Sequence, residues 1–303
     1  MHFDLTDLRL LAAIAETNNL TRGAQRCHLS PAAASVRIKN IEQSIGAKLL
    51  LRSSQGVTLT APGQAYVHHA RLVMAQLEHL RHDISEYGRG IKGHLRLAAS
   101  ITAIAEYLPA VMGRFLSSHP DVSIDLRERP SPEVVRAVSE GRADLGIIAG
   151  PVRTESLEVR PYRSDRLALV VPQGHALADS QAVHFAQTLA YDYVCLPEGT
   201  GLYAFVMQQV RELNAGINMR VQIGNFDACC RMIAQNVGIG ILPLSAATRL
   251  SQQSAVRIVP LADDWALREL SLCARSFDLL PGFARDLVTI LGEHQRAWNS
   301  FHQ

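Results

Sequence analysis

The sequence predicts an α/β protein in which a small all-α head carrying a β-hairpin is joined by one long helix to a two-lobed α/β domain. Three observations predict this. The first 60 residues show helical periodicity broken by capping residues and one polar hairpin; an unbroken 4-3 apolar repeat runs from 66 to 87; and from 93 onward short strand-like runs alternate with helical ones. The expected boundaries are 1–60 for the head, 61–92 for the long helix and a hinge, and 93–303 for the α/β domain. Within the last, lobe I takes about 93–161 and 267–303, and lobe II about 162–266.

In the head, residues 5–16 place Leu8, Leu11 and Ile14 at helical spacing behind Asp4 as N-cap. A second short helix is expected to begin at the capping residue Thr21 and to turn Ala24 and Cys27 inward. A third begins with Ser30 as N-cap and Pro31 at the first helical position, and ends at Gly46. Its buried stripe is Ala34, Ile38, Ile41 and Ile45, which leaves Ala33, Ser35, Val36, Arg37, Lys39 and Asn40 facing out. Two short helices with a tight turn, the second small, polar and basic on its outer face, form a helix-turn-helix whose second helix suits the DNA major groove. Small side chains there let the helix backbone approach the base edges. The run 49–60, apolar at both ends and polar at its Gly-containing centre, reads as a hairpin wing with Arg52 at its shoulder, suited to a phosphate or minor-groove contact. The DNA-contacting set expected from the head is Thr21, Arg22, Ser30, Pro31, Ala33, Ser35, Arg37, Lys39 and Arg52.

Charge points the same way. The chain of 303 residues has a formal charge of +2, while residues 1–60 hold seven Arg or Lys against four acids. Between Arg22 and Arg52 the ratio is six to one, the asymmetry of a nucleic-acid footprint. At 48% hydrophobic and 19% charged the chain can bury two or three cores. The start Met-His-Phe-Asp-Leu-Thr-Asp has no basic leader region and no apolar run approaches the ~20 residues that cross a bilayer, so a soluble cytosolic protein with no membrane partner is expected. Five scattered cysteines (27, 195, 229, 230, 273) predict reduced core thiols rather than a disulfide framework.

The long helix starts at Ala61-Pro62 and reaches about Tyr87. Tyr66, Ala70, Val73, Leu77, Leu80, Ile84 and Tyr87 form a heptad seam that calls for a partner helix, so a self-associating dimer is expected. After the Gly-rich hinge at 88–93, strands are expected at 94–99, 122–127, 144–149, 157–163, 166–172, 191–196, 219–225, 238–242 and 256–260. Helices are expected near 101–117, 131–141, 202–214, 227–236 and 279–298.

Across nearly its whole length the chain resembles the LysR-type transcriptional regulators. The resemblance rests on Asn18 to Ser30 with Ala24, on Ala33, Ser35, Ile38, Ile41, Glu42 and Gly46, on Leu49 to Arg52, Thr58 to Ala61 and Gly63, and on the late stretch Val237 to Pro243. Where most members carry a Gln-Pro pair at the head of the recognition helix, this chain has Pro31-Ala32. The resemblance implies a double-stranded DNA operator, a dimer that often assembles to a tetramer, RNA polymerase as a further partner, and a C-terminal domain like periplasmic binding proteins with its inducer between the lobes. Open α/β sheets bind ligands at the carboxyl ends of their strands, where Ser100, Ile101, Thr102, Thr200 and Gly201 lie. The family pattern adds Ile148, Ala149, Phe226 and Asp227 to the cleft. The alternative for Ser100, Thr200 and Asp227 is plain N-capping. The expected inducer is a small polar or carboxylate-bearing metabolite.

An enzyme would need a nucleophile with a base, or a metal cluster, and neither pattern is present; no catalytic residue, metal or cofactor is expected. His68, His69, His79 and His82 on the long helix read as a solvated polar face rather than a metal site. Gly238-x-Gly240 lacks the third glycine of a dinucleotide fingerprint. Some members of the family this chain resembles sense peroxide with a cysteine pair in the region of Cys195, but position 204, at the matching spacing, is Ala; adjacent Cys229 and Cys230 join only with strain, so redox sensing is not the expected role.

Overall fold

A computed structural model describes residues 4–53, 56–87, 93–154 and 156–301. The expected hinge at 88–92 and the side chains of Arg52, His79, His82 and Tyr87 lie outside what is described. The chain forms two compact units, Met1–Lys92 with Glu140–Arg142, and Gly93–Ser139 with Ala143–Gln303.

In the first unit α1 (Leu5–Thr17) starts in a reciprocal capping box: Asp4 accepts from the Asp7 amide and Asp7 from the Asp4 amide, at 2.9 and 3.0 Å. Helix α2 (Leu20–Arg26) begins one residue earlier than expected. Asn19, not Thr21, is its N-cap, its side chain accepting from the Arg22 amide at 3.0 Å. Helix α3 (Pro31–Ile45) is capped by Ser30 and ends at Gly46, whose φ of +74° suits the residue without a Cβ. Leu10, Leu11, Ile14, Ala24, Ala34, Ile38 and Ile41 meet in one core. That core is closed by a hairpin of β1 (Leu50–Ser53) and β2 (Gly56–Leu59), paired Leu50 to Leu59 and Arg52 to Val57. The buried Glu42 carboxylate joins α3 to this wing: it accepts from the Leu49 and Leu50 amides at 3.0 and 3.3 Å and from Lys48 Nζ at 2.8 Å. Burial opposes its ionisation, yet these donors hold it below the usual carboxylate range.

Helix α4 (Ala61–Tyr87) follows, with Gly63 pressed against the wing. A Cβ at Gly63 would lie 2.1 Å from the Leu49 carbonyl oxygen, so backbone would have to move. Gly63→Ala is therefore expected to lower the unit's stability by about 1–3 kcal/mol, as overpacking does. Urea unfolding followed by circular dichroism checks this, and an unchanged midpoint would refute the close approach.

The second unit is built on a parallel core of β3 (Gly93–Ala99), β4 (Val122–Glu128) and β5 (Leu145–Ala149) in the order β4-β3-β5. A π-helical turn (Ala103–Tyr107) leads into α5 (Leu108–Ser118) after β3, and α6 (Ser131–Ser139) follows β4. The strands expected at 157–163 and 166–172 are one continuous strand, β6 (Glu158–Pro172), that serves both lobes. Lobe II then adds α7 (Phe185–Thr188), β7 (Asp192–Cys195), α8 (Gly201–Glu212), β8 (Asn218–Gln222), α9 (Phe226–Ala234), β9 (Gly240–Pro243), α10 (Leu244–Ser251) and β10 (Val256–Pro260). The chain returns through β11 (Leu267–Ala274), antiparallel to β5 and β6, and ends in α11 (Gly282–Phe301).

Helices α7 and α10 and strand β11 were not expected from sequence. Ser164 and Asp165 fall between the two expected strands, but Asp165 is buried like Arg163 and stays in the ladder, and Tyr162 is the extra residue of a bulge beside Pro161. In β11 the inward positions are 268, 270 and 272, and a buried arginine at the first hides the alternation. Separate apolar cores lie in lobe I, around Phe115, Tyr162 and Leu287, and in lobe II, around Phe185, Tyr193 and Val206.

Candidate nucleic-acid interface and ligand cleft

On the head, Thr21, Arg22, Ser30, Pro31, Ala33 and Lys39 are exposed and Ser35 is half-buried. Arg22 and Lys39 form no ion pair among the described residues, which leaves two cations available to an incoming polyanion. Arg26 is held by Glu16 at 2.9 Å. Arg37, expected on the outward reading face, is instead committed within the head: Nη1 donates to Asp7 at 2.8 Å and to Asp4 at 3.1 Å, and its side chain is only 36% exposed. The cause is the α1 capping box, whose two carboxylates, Asp7 buried and Asp4 exposed, converge where α3 passes and share one guanidinium. Asp7 first and Asp4 second raise the guanidinium above its ordinary pKa. Between α3 and the wing lies a groove of about 480 Å³ lined by Ser35, Val36, Lys39, Lys48 and the exposed Leu51. Sequence reasoning missed Lys48 and Leu51, although both sit beside the predicted wing.

The α4 seam divides. Tyr66 packs on the head's own core and Ala70 is buried. From there on the stripe opens: Val73 is 44%, Leu80 53% and Ile84 64% exposed, with Leu77 half-buried between them. Three large apolar side chains in register on one face form a strip exposed among the described residues.

In the second unit a cleft of about 410 Å³ lies where the ends of β3, β4 and β5 face the start of α8. Ser100, Ile101, Thr102, Ala149, Thr200 and Gly201 meet there, as the strand ends and the family pattern suggested. Three expected residues do not. Ile148 points the other way from Ala149 along β5 and packs under α6 with Val134 and Val138. Phe226 is in the lobe II core, and Asp227 is ion-paired to Arg231 on the surface. The cap of α9 is Asn225, which accepts from the Ala228 amide at 2.8 Å.

The polar groups of the cleft differ in what they have left to offer. Thr200 is a true N-cap: its hydroxyl accepts from the Tyr203 amide at 3.3 Å and donates to the Pro197 carbonyl at 2.9 Å. Ser131 donates to the Ala149 carbonyl at 3.0 Å and accepts from its amide at 2.9 Å. By contrast Ser100 Oγ is buried with no hydrogen-bond partner among the described residues. So is Nε of Arg268, a residue that sequence reasoning did not place here. Arg268 enters from β11 beneath the Phe205 ring, 5.6 Å from its centre, and its Nη2 donates to the buried Asp165. Tyr107 donates to the same carboxylate at 3.2 Å. Burial pushes Asp165 above its ordinary pKa, and Arg268 opposes that rise.

Burial also pushes the thiols up, Cys195 and Cys230 to about 11 and Cys229 and Cys273 to about 12, which suppresses the reactive thiolate at neutral pH. Among the described residues no group of three His, Cys, Asp or Glu could hold a metal ion, and no helix is long and apolar enough to cross a membrane.

Comparison with known proteins places both units. The family model described as "Bacterial regulatory helix-turn-helix protein, lysR family" matches residues 5–64, and that of the "LysR substrate binding domain" matches residues 88–296. The uncharacterized HTH-type transcriptional regulator YnfL of Escherichia coli K12 is 28% identical over 277 residues, covering 90% of this chain and 92% of its own. Full-length CbnR, solved in complex with its target DNA, is 21% identical with a TM-score of 0.51, covering 97% of this chain and 99% of that one. The effector-binding domain of QuiR, solved with shikimate, is 18% identical with a TM-score of 0.56, covering 68% of this chain and 98% of that one.

Proposed function

The chain belongs to the LysR family of bacterial regulatory helix-turn-helix proteins, and from that premise we propose that it is a transcriptional regulator whose hold on a double-stranded operator is set by a small molecule in the cleft of its C-terminal domain. The observation that carries the sensing half is the cleft itself, with the buried, unsatisfied donors of Ser100 and Arg268 on its wall. Such donors are costly to leave unmade, and a ligand acceptor is what would satisfy them. QuiR, with shikimate in the corresponding domain, supports the reading. The division of labour we assign is a DNA-binding head over 1–60, a dimerising helix and hinge over 61–92, and an effector domain over 93–303. The dimer, its assembly to a tetramer, contact with RNA polymerase and action in the cytoplasm all belong to the same reading.

On the DNA side, α3 enters the major groove with Ala33 and Ser35 toward the bases, while Arg22, Lys39 and the wing carry phosphates. Arg37 positions α3 against α1 instead of reading bases. Binding of the full chain to an operator selected from random sequence tests this. Arg22→Ala with Lys39→Ala should weaken binding on all sequences alike and lower the salt slope by about 1 per lost phosphate contact. An unchanged affinity and slope would remove this face from the interface.

A further inference from the structure

Three carboxylates and two guanidinium groups line the cleft, and their pairing is uneven. Glu133 faces Arg129 at 3.8 Å, and Glu198 accepts from the Tyr203 hydroxyl at 3.2 Å. Arg268 spends Nη2 on Asp165, which lies behind the cleft wall. What remains is asymmetric. Ser100 Oγ and Arg268 Nε are buried donors without partners, while the Glu128 carboxylate has no polar partner among the described residues. Glu128 is exposed at the cleft, and its partial desolvation pushes it above its ordinary pKa. Beside them Ile101, Leu202 and Phe205 supply an apolar wall.

Resting on the reading of the cleft as the effector site, we propose that its occupant is an α-amino acid with an apolar side chain. Its carboxylate accepts from Ser100 Oγ and Arg268 Nε, its ammonium group donates to Glu128, and its side chain lies on Ile101, Leu202 and Phe205. The alternatives each leave something unsatisfied. A dicarboxylate would set a second negative charge among Glu128, Glu133 and Glu198, whose repulsion disfavours it. A plain amine would leave the two buried donors unmet. A simple monocarboxylate would meet the donors and leave Glu128 without a counter-charge. The carboxylate of the expected metabolite is thus assigned to Ser100 and Arg268 and not to Thr200, whose hydroxyl is committed to its cap.

The test uses the full chain with leucine, valine, methionine and phenylalanine, each beside its 2-oxo acid and its decarboxylated amine, by thermal unfolding and titration calorimetry. At least one amino acid should raise the unfolding midpoint and bind ten or more times tighter than its oxo acid and its amine. Glu128→Gln should weaken the amino acid at least tenfold and leave the oxo acid unaffected, whereas Ser100→Ala and Arg268→Lys should weaken both; the lysine keeps a cation opposite Asp165. An oxo acid that binds as tightly as its amino acid, indifference to Glu128→Gln, or no binding by any amino acid of the panel overturns the proposal. The two readings fail separately. Oxo-acid binding lost in Ser100→Ala leaves the cleft as the effector site and removes only the zwitterion, while binding insensitive to every variant removes both.

Discussion

Arg268→Met is expected to lower the stability of the C-terminal unit by about 3–5 kcal/mol, because it strands a buried carboxylate. Asp165 is 2% exposed, and its contacts are Arg268 and the Tyr107 hydroxyl. With the guanidinium gone, Asp165 must either carry an uncompensated charge in the interior or take up a proton on folding. The second removal discriminates: Arg268→Met with Asp165→Leu should recover most of the loss, since an apolar pair in place of a buried ion pair is often neutral or better. The pH dependence follows from the direction of the Asp165 shift. Burial already raises its folded pKa, and loss of Arg268 raises it further. A group so shifted favours folding below its unfolded pKa, about 3.9, and that contribution is lost as pH rises through the folded value. The single variant should therefore lie closest to the parent in acid and fall away toward neutral pH. Urea unfolding at pH 5 and pH 8 measures this; a loss under about 1 kcal/mol, or a double variant no better than the single, would sink the account.

The second large effect is expected on α4. Leu77→Glu with Leu80→Glu places two charges in the strip formed with Val73 and Ile84, where Leu80 and Ile84 are 53% and 64% exposed. In the proposed dimer these side chains meet their counterparts, and burying a carboxylate there is prohibitive. Light scattering should show monomers, and operator affinity should fall by about 10²–10⁴, since the two half-sites are no longer held by one unit. Dimers that persist at low micromolar concentration would mean that some other surface holds the copies together.

Much of the frame was legible because local chemistry and tertiary packing agree there. Asp4, Ser30 and Gly46 cap the helices that their side chains or backbone freedom favour, and α4 runs over Ala61–Tyr87 as its unbroken repeat implied. The wing and the parallel β4-β3-β5 core followed from alternation and turn residues. What failed to show shares one cause: polar residues whose partners are distant in sequence. Asn19 and Thr21 are both good caps, and only the path of the chain selects Asn19. Arg37 looks free until Asp4 and Asp7, some thirty positions away, are folded onto it. Arg268 and Asp165, 103 residues apart, are charged residues at buried strand positions: the polar pair Ser164-Asp165 split β6 into two expected strands, and β11 was not expected. In the cleft, the expected small hydroxyl residues at Ser100, Thr102 and Thr200 were found together, and the arginine between them was not foreseen. Ile148 failed by the two-residue period of its strand, which turns it away when Ala149 faces the cleft.

The long ladder of β6 and β11 has a topological consequence. Arg166 and Leu267 face each other as paired residues, so the chain leaves lobe I and comes back to it through neighbouring rungs of one sheet. Everything from 167 to 266 is thus an excursion between two paired rungs of lobe I, and the entropy of closing it grows only with the logarithm of its length. Insertions, deletions and repacking within the excursion leave the spacing of its attachment points untouched. One wall of the cleft can therefore be rebuilt for a different molecule while the opposite wall, carrying Ser100 and Glu128, keeps its own strand pairing.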